Sequence, residues 1–446
     1  MPLAYLAAAL AIGFQLRGMV PIPGAGYYVF LGFSAMEFLV PYALDKWLHV
    51  NLGGLAGTLV FPTAWSALEY LNCFGPYGSW GAAAYSQYGN LALDQLVSVT
   101  GLWGIAFLIA WFAAVSNALW QAGWSSPPAR RAAGLRLAII LVIILLGGAR
   151  LALFPVRARA VRIASLSKHD LVSAPDDATW NRLLEKRATG KDLVAVRRWS
   201  AEVNNDLLRR AEQEAQAGAK IVFWGEANAP VFKEDEAALI ERGSAVARNN
   251  GIYLGMALGV WNRENDPPLE NKLVFVNADG SIAWQFHKAH PVPGAEAALQ
   301  VRGDGKLRRA DTAFGRITGV ICFDADFPQL LSQAGALGAD IVLDPSNDWR
   351  AIDPWHTQMA SFRAIEQGVN LVRHTSNGLS AAYDYQGHQL SAMDHYQTSE
   401  YAMVSEVPTR GVRTIYSRLG DWFAWLCLAT LLLLLGKYWR NRFAPR

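Results

Sequence analysis

Charge is scarce in this chain. Only 17% of its 446 residues are Asp, Glu, Lys or Arg, while 52% are hydrophobic. Soluble domains carry about a quarter charged residues, so this balance points to a membrane protein. The net charge is only +3. With no Lys/Arg run in the polar part, a nucleic-acid partner is excluded. Cysteine is scarce too. Cys73, Cys322 and Cys427 are odd in number and widely spaced, a poor disulfide framework. Without CxxC or clustered Cys/His there is no zinc pattern, and neither a metal nor a cofactor is expected. Cys73 and Cys427 fall in or beside apolar segments and read as small buried hydrophobes. Internal repeats and low-complexity linkers are missing. So is the basic n-region that would mark a cleavable signal peptide.

The apolar residues are unevenly spread. They dominate the first 155 residues and the last 25 or so. A bilayer span takes about 20 mostly apolar residues. Tyr27–Leu44, Leu52–Leu71, Val97–Trp120 and Leu137–Phe154 come close, and Trp422–Leu435 adds one at the end. Leu3–Phe14 is a shorter fifth candidate near the N-terminus. This divides the chain into a helix bundle over 1–155, a globular domain over 156–417, and a final helix with a basic tail over 418–446. Basic residues of short loops stay on the cytoplasmic side. Arg130, Arg131 and Arg136 lie before the fourth span, and Lys437, Arg440, Arg442 and Arg446 follow the last. Both clusters put the globular domain on the extracytoplasmic face. The same parity puts Asn72–Gln95 outside. That loop is rich in Gly, Tyr and Trp, and reads either as an interfacial aromatic belt or as part of a lipid access site.

In the globular part, short apolar runs alternate with amphipathic stretches. Strands are expected at Val161–Leu166, Lys220–Trp224, Ile252–Val260, Lys272–Asn277, Ile317–Phe323, Asp340–Leu343 and Val369–Arg373. Helices are expected at Ala195–Ala217, Glu234–Asn249, Pro328–Ala336 and Pro354–Gln367. This alternation is that of an α/β layered domain.

Three polar residues sit at strand ends, where α/β sheets bind ligands. Glu226 follows Ile221-Val-Phe-Trp224, Cys322 closes Thr318-Gly-Val-Ile321, and Lys288 lies in Gln285-Phe-His-Lys-Ala-His-Pro-Val-Pro293. Cys322 precedes Pro328 and an expected helix, a field that favours thiolate. A carboxylate can take its proton and an ammonium can stabilise an oxyanion. On position alone, a buried structural cysteine is the default reading. His287, His290 and His356 lack ligand spacing on one element and read as ordinary hydrogen-bonding residues. The charged run Arg209 to Glu214 reads as a solvated helix face. Asn347 and Asp348 are expected to shape the loop near Cys322.

The stretch from about Val161 to Val407 resembles the nitrilase, or carbon–nitrogen hydrolase, superfamily. Its motifs are matched by Phe223-Trp-Gly-Glu226, His287-Lys288 and Gly319-Val-Ile-Cys-Phe-Asp324. Asp344-Pro-Ser-Asn-Asp-Trp349, His356-Thr-Gln-Met359 and Arg363-Ala-Ile-Glu366 add to the match. With helices before and after, the whole chain resembles the apolipoprotein N-acyltransferase family. Tyr85-Ser-Gln87, Gln95 with Gly101-Leu-Trp-Gly-Ile-Ala-Phe107, and Thr375-Ser-Asn-Gly378 carry that likeness. The chain departs from the family wording at Val292-Pro-Gly-Ala-Glu296, Trp224-Gly-Glu226 and Phe323-Asp324. Its Lys288–Cys322 interval is also shorter.

The resemblance implies a transmembrane bundle carrying a four-layer α-β-β-α sandwich. It implies Glu226, Lys288 and Cys322 as the catalytic triad, with Glu296, Phe323, Asp324 and Trp199 in support. It further implies an enzyme of the bacterial inner membrane. Cys322 would take an acyl chain from a phospholipid as a thioester and pass it to the amine of a diacylglyceryl-cysteine lipoprotein. A membrane-tethered amidase, with water resolving the thioester, is the competing reading. A catalytically dead scaffold is the third.

Overall fold

The computed structural model describes residues 2–123, 125–169 and 173–443, and it forms two compact units. One holds the residues up to Pro155 together with those from Thr414 onward. The other spans Val156–Arg413. Arg446, counted above with the basic tail, lies outside the described residues.

The helical unit departs from the expected spans where glycine or a cap breaks the backbone. Ala25–Leu52 is a 28-residue apolar helical stretch, longer than the expected Tyr27–Leu44. Leu52–Leu71 is not one helix. It breaks at Gly53 (φ 58) and again at Leu59, leaving Gly54–Thr58 and Val60–Asn72. Val97–Trp120 breaks at Gly101 (φ 65), where a side chain would strike the Tyr416 ring; Leu102–Ala122 continues beyond it. Arg130, Arg131 and Arg136 lie inside the helix Pro127–Leu153 rather than in a loop. Arg136 is buried, its guanidinium 4.2 Å from the Phe112 ring centroid.

Four helical stretches among the described residues are long and apolar enough to cross a bilayer. On Ala129–Leu153, Leu141, Leu145 and Leu146 all face outward. Such exposure is costly in water and ordinary in lipid. The terminal helix Trp422–Phe443 joins the N-terminal ones through specific bonds. Trp103 Nε1 donates to Asp421 Oδ1 at 2.7 Å, and Trp422 Nε1 donates to the Val99 carbonyl at 2.7 Å.

The second unit is built on thirteen strands among its described residues. The first six are β1 (Ala160–Leu166), β2 (Ile221–Trp224), β3 (Ala229–Phe232), β4 (Tyr253–Trp261), β5 (Leu269–Val276) and β6 (Ile282–His287). Then come β7 (Ala310–Thr312), β8 (Gly315–Gly319), β9 (Ile341–Asn347), β10 (Asn370–Ser376), β11 (Leu379–Tyr383), β12 (Gln389–Asp394) and β13 (Ala402–Pro408). One sheet runs β13-β1-β2-β4-β5-β6, with β3 also on β4. The other runs β12-β11-β10-β9-β8-β7. β2 packs against β9, so the sheets lie face to face. The helices Gly190–Gln216 and Glu236–Asn250 cover the first sheet, and Trp355–Gln367 covers the second. This is the α-β-β-α sandwich.

Sequence chemistry accounts for its parts. Every residue of β2 is buried, as a central parallel strand requires. Thr189 and Asp192 form a capping box that starts the long helix five residues before the expected Ala195. Gly251 and Gly368 end two helices in the left-handed conformation. The expected strand Ile317–Phe323 is corrected: β8 stops at Gly319, and Cys322–Asp326 forms a tight 3₁₀ turn. The solvated face expected around Arg209–Glu214 is also corrected. Arg210 is buried, donating to the carbonyls of Ser167, Glu400 and Tyr401.

Gly303 shows how closely the backbone is packed near β6. Its N–H donates to the Lys288 carbonyl at 2.8 Å, and a Cβ there would overlap the His287 carbonyl oxygen. Gly303→Ala is expected to destabilise the unit by about 1–3 kcal/mol. Thermal unfolding of the full chain, with and without the substitution, checks this.

Candidate active site

Three chain segments converge at the ends of β2, β6 and β8, and each delivers one polar side chain into the interior. Glu226 follows β2, with Ala227 at φ 51 turning the chain sharply behind it. Lys288 follows β6 and is wholly buried. Cys322 opens the 3₁₀ turn after β8 at φ 54 and is 2% exposed. A left-handed backbone costs roughly 1–2 kcal/mol at a residue with a Cβ. Such strain persists where surrounding contacts hold it, commonly at functional sites.

Lys288 is the centre of the charge arrangement. Its Nζ lies 2.7 Å from Glu226 Oε1 and 2.6 Å from Glu296 Oε2. Burying an ammonium costs several kcal/mol unless it is paired, and here two carboxylates pair it. Burial alone would pull its pKa down, but Glu226 and then Glu296 outweigh it, so the ammonium is held well above its usual range. Burial pushes the Glu226 carboxyl up, against the opposing pull of Lys288.

The two oxygens of Glu226 are used differently. Oε1 accepts from Lys288 Nζ and from Asn271 Nδ2, both at 2.7 Å. Oε2 is buried with no hydrogen-bond partner among the described residues. It is the acceptor left for a proton. Burial and Glu226 raise the Cys322 thiol well above its ordinary pKa, against Lys288 and Arg373, which lower it. The expected thiolate is therefore corrected. At rest the sulfur is a thiol, because desolvation of a buried anion outweighs the two nearby cations.

The nucleophile turn is fixed from beneath. The Cys322 N–H donates to Asp344 Oδ1 at 2.8 Å, so it is spent and cannot serve an oxyanion. The Phe323 N–H is second in the 3₁₀ turn, where the first donors of a helix have no partner within it. Asp344 is held in turn by Arg373 Nη1 at 2.6 Å. Arg373 Nη2 reaches Asp348 Oδ1 at 3.1 Å, and His356 touches Asp348 at 2.7 Å and Asp326 at 3.0 Å.

Nε2 of His356 faces the Asp326 carboxylate alone, while Nδ1 faces both Asp348 Oδ1 and Arg373 Nη2, the latter at 2.8 Å. Burial and Arg373 push the His356 pKa down, but Asp348 and Asp326 prevail and raise it to about 9. Cys322, Asp348 and His356 bring one ligand atom each within 4.8 Å of the others. A protonated ring beside Arg373 offers no lone pair, so this donor set does not fit a metal.

Asp324 ties the lysine loop to the nucleophile turn. It accepts from the backbone N–H of Ala289 (3.1 Å), His290 (2.8 Å) and Ile321 (3.3 Å), and contacts His290 Nδ1 at 2.9 Å. His290 also stacks on Phe327, their ring centroids 3.6 Å apart. Phe323 packs edge-on against Phe327 at 5.3 Å. Glu296 accepts from the Val292 N–H at 2.9 Å, which aims it at Lys288.

Trp199 meets the Trp180 ring at 5.5 Å and Lys168 at 5.1 Å. The sequence reading missed Asn271 and Arg373, and quoted Asp344 only as the start of a matching motif. Their signal was a polar or charged residue inside an otherwise apolar strand, as with Arg373 after Leu371 and Val372.

A raised histidine pKa gives stability that is complete below the unfolded value of 6.5 and is lost as pH climbs through about 9. Unfolding of the full chain in detergent should therefore lose roughly 1–3 kcal/mol across that window. His356→Gln should remove that slope, and an unchanged slope would contradict the protonated assignment.

Comparison with known proteins agrees with this architecture. Residues 192–405 match the family model of carbon–nitrogen hydrolases, and residues 5–115 match that of the apolipoprotein N-acyltransferase N-terminal domain. An apolipoprotein N-acyltransferase from Geobacter metallireducens is 26% identical over 84% of this chain and 73% of its own length. One from Azotobacter vinelandii is 28% identical over 96% of this chain and 82% of its own. Among solved structures, an amidase from Nesterenkonia sp. is 19% identical, covering 57% of this chain and 92% of its own, at a TM-score of 0.42. Two family models in series, with relatives matched over most of both chains, place the chain among the apolipoprotein N-acyltransferase-like membrane proteins of the carbon–nitrogen hydrolase superfamily.

Proposed function

We propose that this protein transfers an acyl chain from a membrane phospholipid to the N-terminal amine of a diacylglyceryl-cysteine lipoprotein, through a thioester on Cys322. The observation that carries the chemistry is the unpartnered Oε2 of Glu226 in a site shared with Cys322 and Lys288. The names and two-domain extent of the relatives support the substrates. Arg130 and Arg131, in the first turns of the helix Pro127–Leu153, and Lys437, Arg440 and Arg442 near the C-terminus support an extracytoplasmic catalytic unit at the bacterial inner membrane.

In the first step Glu226 Oε2 takes the thiol proton as sulfur attacks the ester carbonyl. The S–C bond forms and charge moves onto the carbonyl oxygen. Lys288 Nζ and the Phe323 N–H are the donors that stabilise it. Collapse breaks the C–O bond, and Glu226 returns the proton to the departing lysophospholipid alkoxide. In the second step the lipoprotein amine attacks the thioester and Glu226 takes a proton from nitrogen. The C–S bond breaks, and the sulfur recovers that proton. A base whose pKa burial has raised is suited to both directions. Glu296 keeps Lys288 oriented and neutralised throughout.

Intact-mass measurement on protein incubated with phospholipid should show an acyl adduct, absent in Cys322→Ala. Adding a diacylated lipopeptide should discharge the adduct onto the peptide amine. Discharge only to free fatty acid would replace transfer by hydrolysis. No adduct under any lipid condition would remove the covalent mechanism.

A further inference from the structure

The helical unit holds an open cavity of about 430 Å³, the size of a small-ligand site. Its walls come from helices Pro2–Gln15, Ala25–Phe38 and Val60–Asn72, and from the loop 75–82 within the aromatic stretch noted in the sequence. Glu37 and Glu69 line it beside Phe30, Trp65, Tyr77 and Trp80. No Lys, Arg or His does so among the described residues.

Glu69 is held in place by one oxygen only. Oε1 accepts from Trp65 Nε1 at 2.8 Å and from the Ala83 N–H at 2.9 Å. Oε2 is shielded from solvent and has no partner among the described residues. The aromatic walls are braced by edge contacts, Phe30 on Tyr77 at 5.3 Å and Phe38 on Trp65 at 5.1 Å. A shielded Glu69 oxygen among apolar and aromatic walls, without a basic side chain, is costly unless a donor or cation completes it; Glu37, at an exposed position, adds a second negative charge at the cavity. Indole and phenol faces also attract cations.

We propose that this cavity binds the ammonium group of an amphiphile. The ammonium donates to Glu69 and lies against the indoles, Glu37 supplies the second charge, and the apolar walls take the start of the acyl chain. Two amphiphiles of the proposed reaction carry such a group: an amine-headed phospholipid and a diacylated lipopeptide with a free α-amine. The inference rests on the acyl-transfer reading for those ligands, but its residues are separate from Cys322.

The test is native mass spectrometry of the full-length Cys322→Ala protein, which cannot turn over. One arm compares nanodiscs of phosphatidylethanolamine with nanodiscs of phosphatidylglycerol. The other compares a diacylated lipopeptide with its N-acetylated form. In at least one arm, retention of the amine-bearing partner should exceed that of its counterpart by about tenfold or more. Glu69→Gln, which keeps an acceptor for Ala83, should erase that preference. Should Glu69→Gln fail to fold, Glu37→Gln, at an exposed position, should weaken it. A preference in the lipid arm assigns the cavity to the phospholipid, and one in the peptide arm to the lipopeptide. No preference in either arm, or one unchanged in both variants, would overturn the proposal. The adduct on wild-type Cys322 is read separately, so the two readings fail independently.

Discussion

A single ammonium buried between two carboxylates governs this site. Lys288 lies 2.7 Å from Glu226 and 2.6 Å from Glu296, with no solvent access of its own. Removing Lys288 would leave two carboxylates facing each other with no cation between them, a loss of about 3–5 kcal/mol. The sheet ends, the tight lysine loop and the 292–296 segment are all placed to make that arrangement possible. The same ion triplet divides the labour of Glu226. One oxygen anchors the lysine, and the other remains open toward proton transfer.

Around this centre the protein uses charge to hold backbone rather than to expose reactivity. Asp344 grips the Cys322 N–H, Arg373 grips Asp344, and Asp348 with His356 and Asp326 closes the chain. The left-handed backbone at Cys322 is paid for by these contacts. Asp324 then links the nucleophile turn to the lysine loop, so the two catalytic segments cannot drift independently. A thiol that is protonated at rest fits this design. The sulfur becomes nucleophilic only as a substrate carbonyl draws its electrons and Glu226 draws its proton.

Much of this was legible in the sequence. β2 was readable because a strand buried on both faces must be continuously apolar. Pro328 marked its helix start correctly, and the ordered Glu226, Lys288 and Cys322 stood at strand ends. Glu296 came from the family resemblance, which implies a second glutamate eight residues after the lysine. The tight turn at Cys322 was not legible, because hydrophobicity continues through Val320 and Ile321 while the backbone already leaves the sheet. Asn271 and Arg373 escaped notice because their partners, Glu226 and Asp344, are distant in sequence. The broken helices at Gly53 and Gly101 show the opposite failure. Apolar composition predicts a span, but a glycine at positive φ interrupts it.

The central claim is that Glu226, poised by Lys288, moves the Cys322 proton. Rapid-mixing measurement of the first-turnover burst, using a phospholipid analogue with a chromogenic leaving group, tests it most directly. Glu226→Gln preserves the shape and an acceptor for Lys288 but removes the base. The burst rate should fall by about 10²–10⁴-fold while Cys322 remains present and the protein folded. A burst at the wild-type rate in Glu226→Gln would contradict the account.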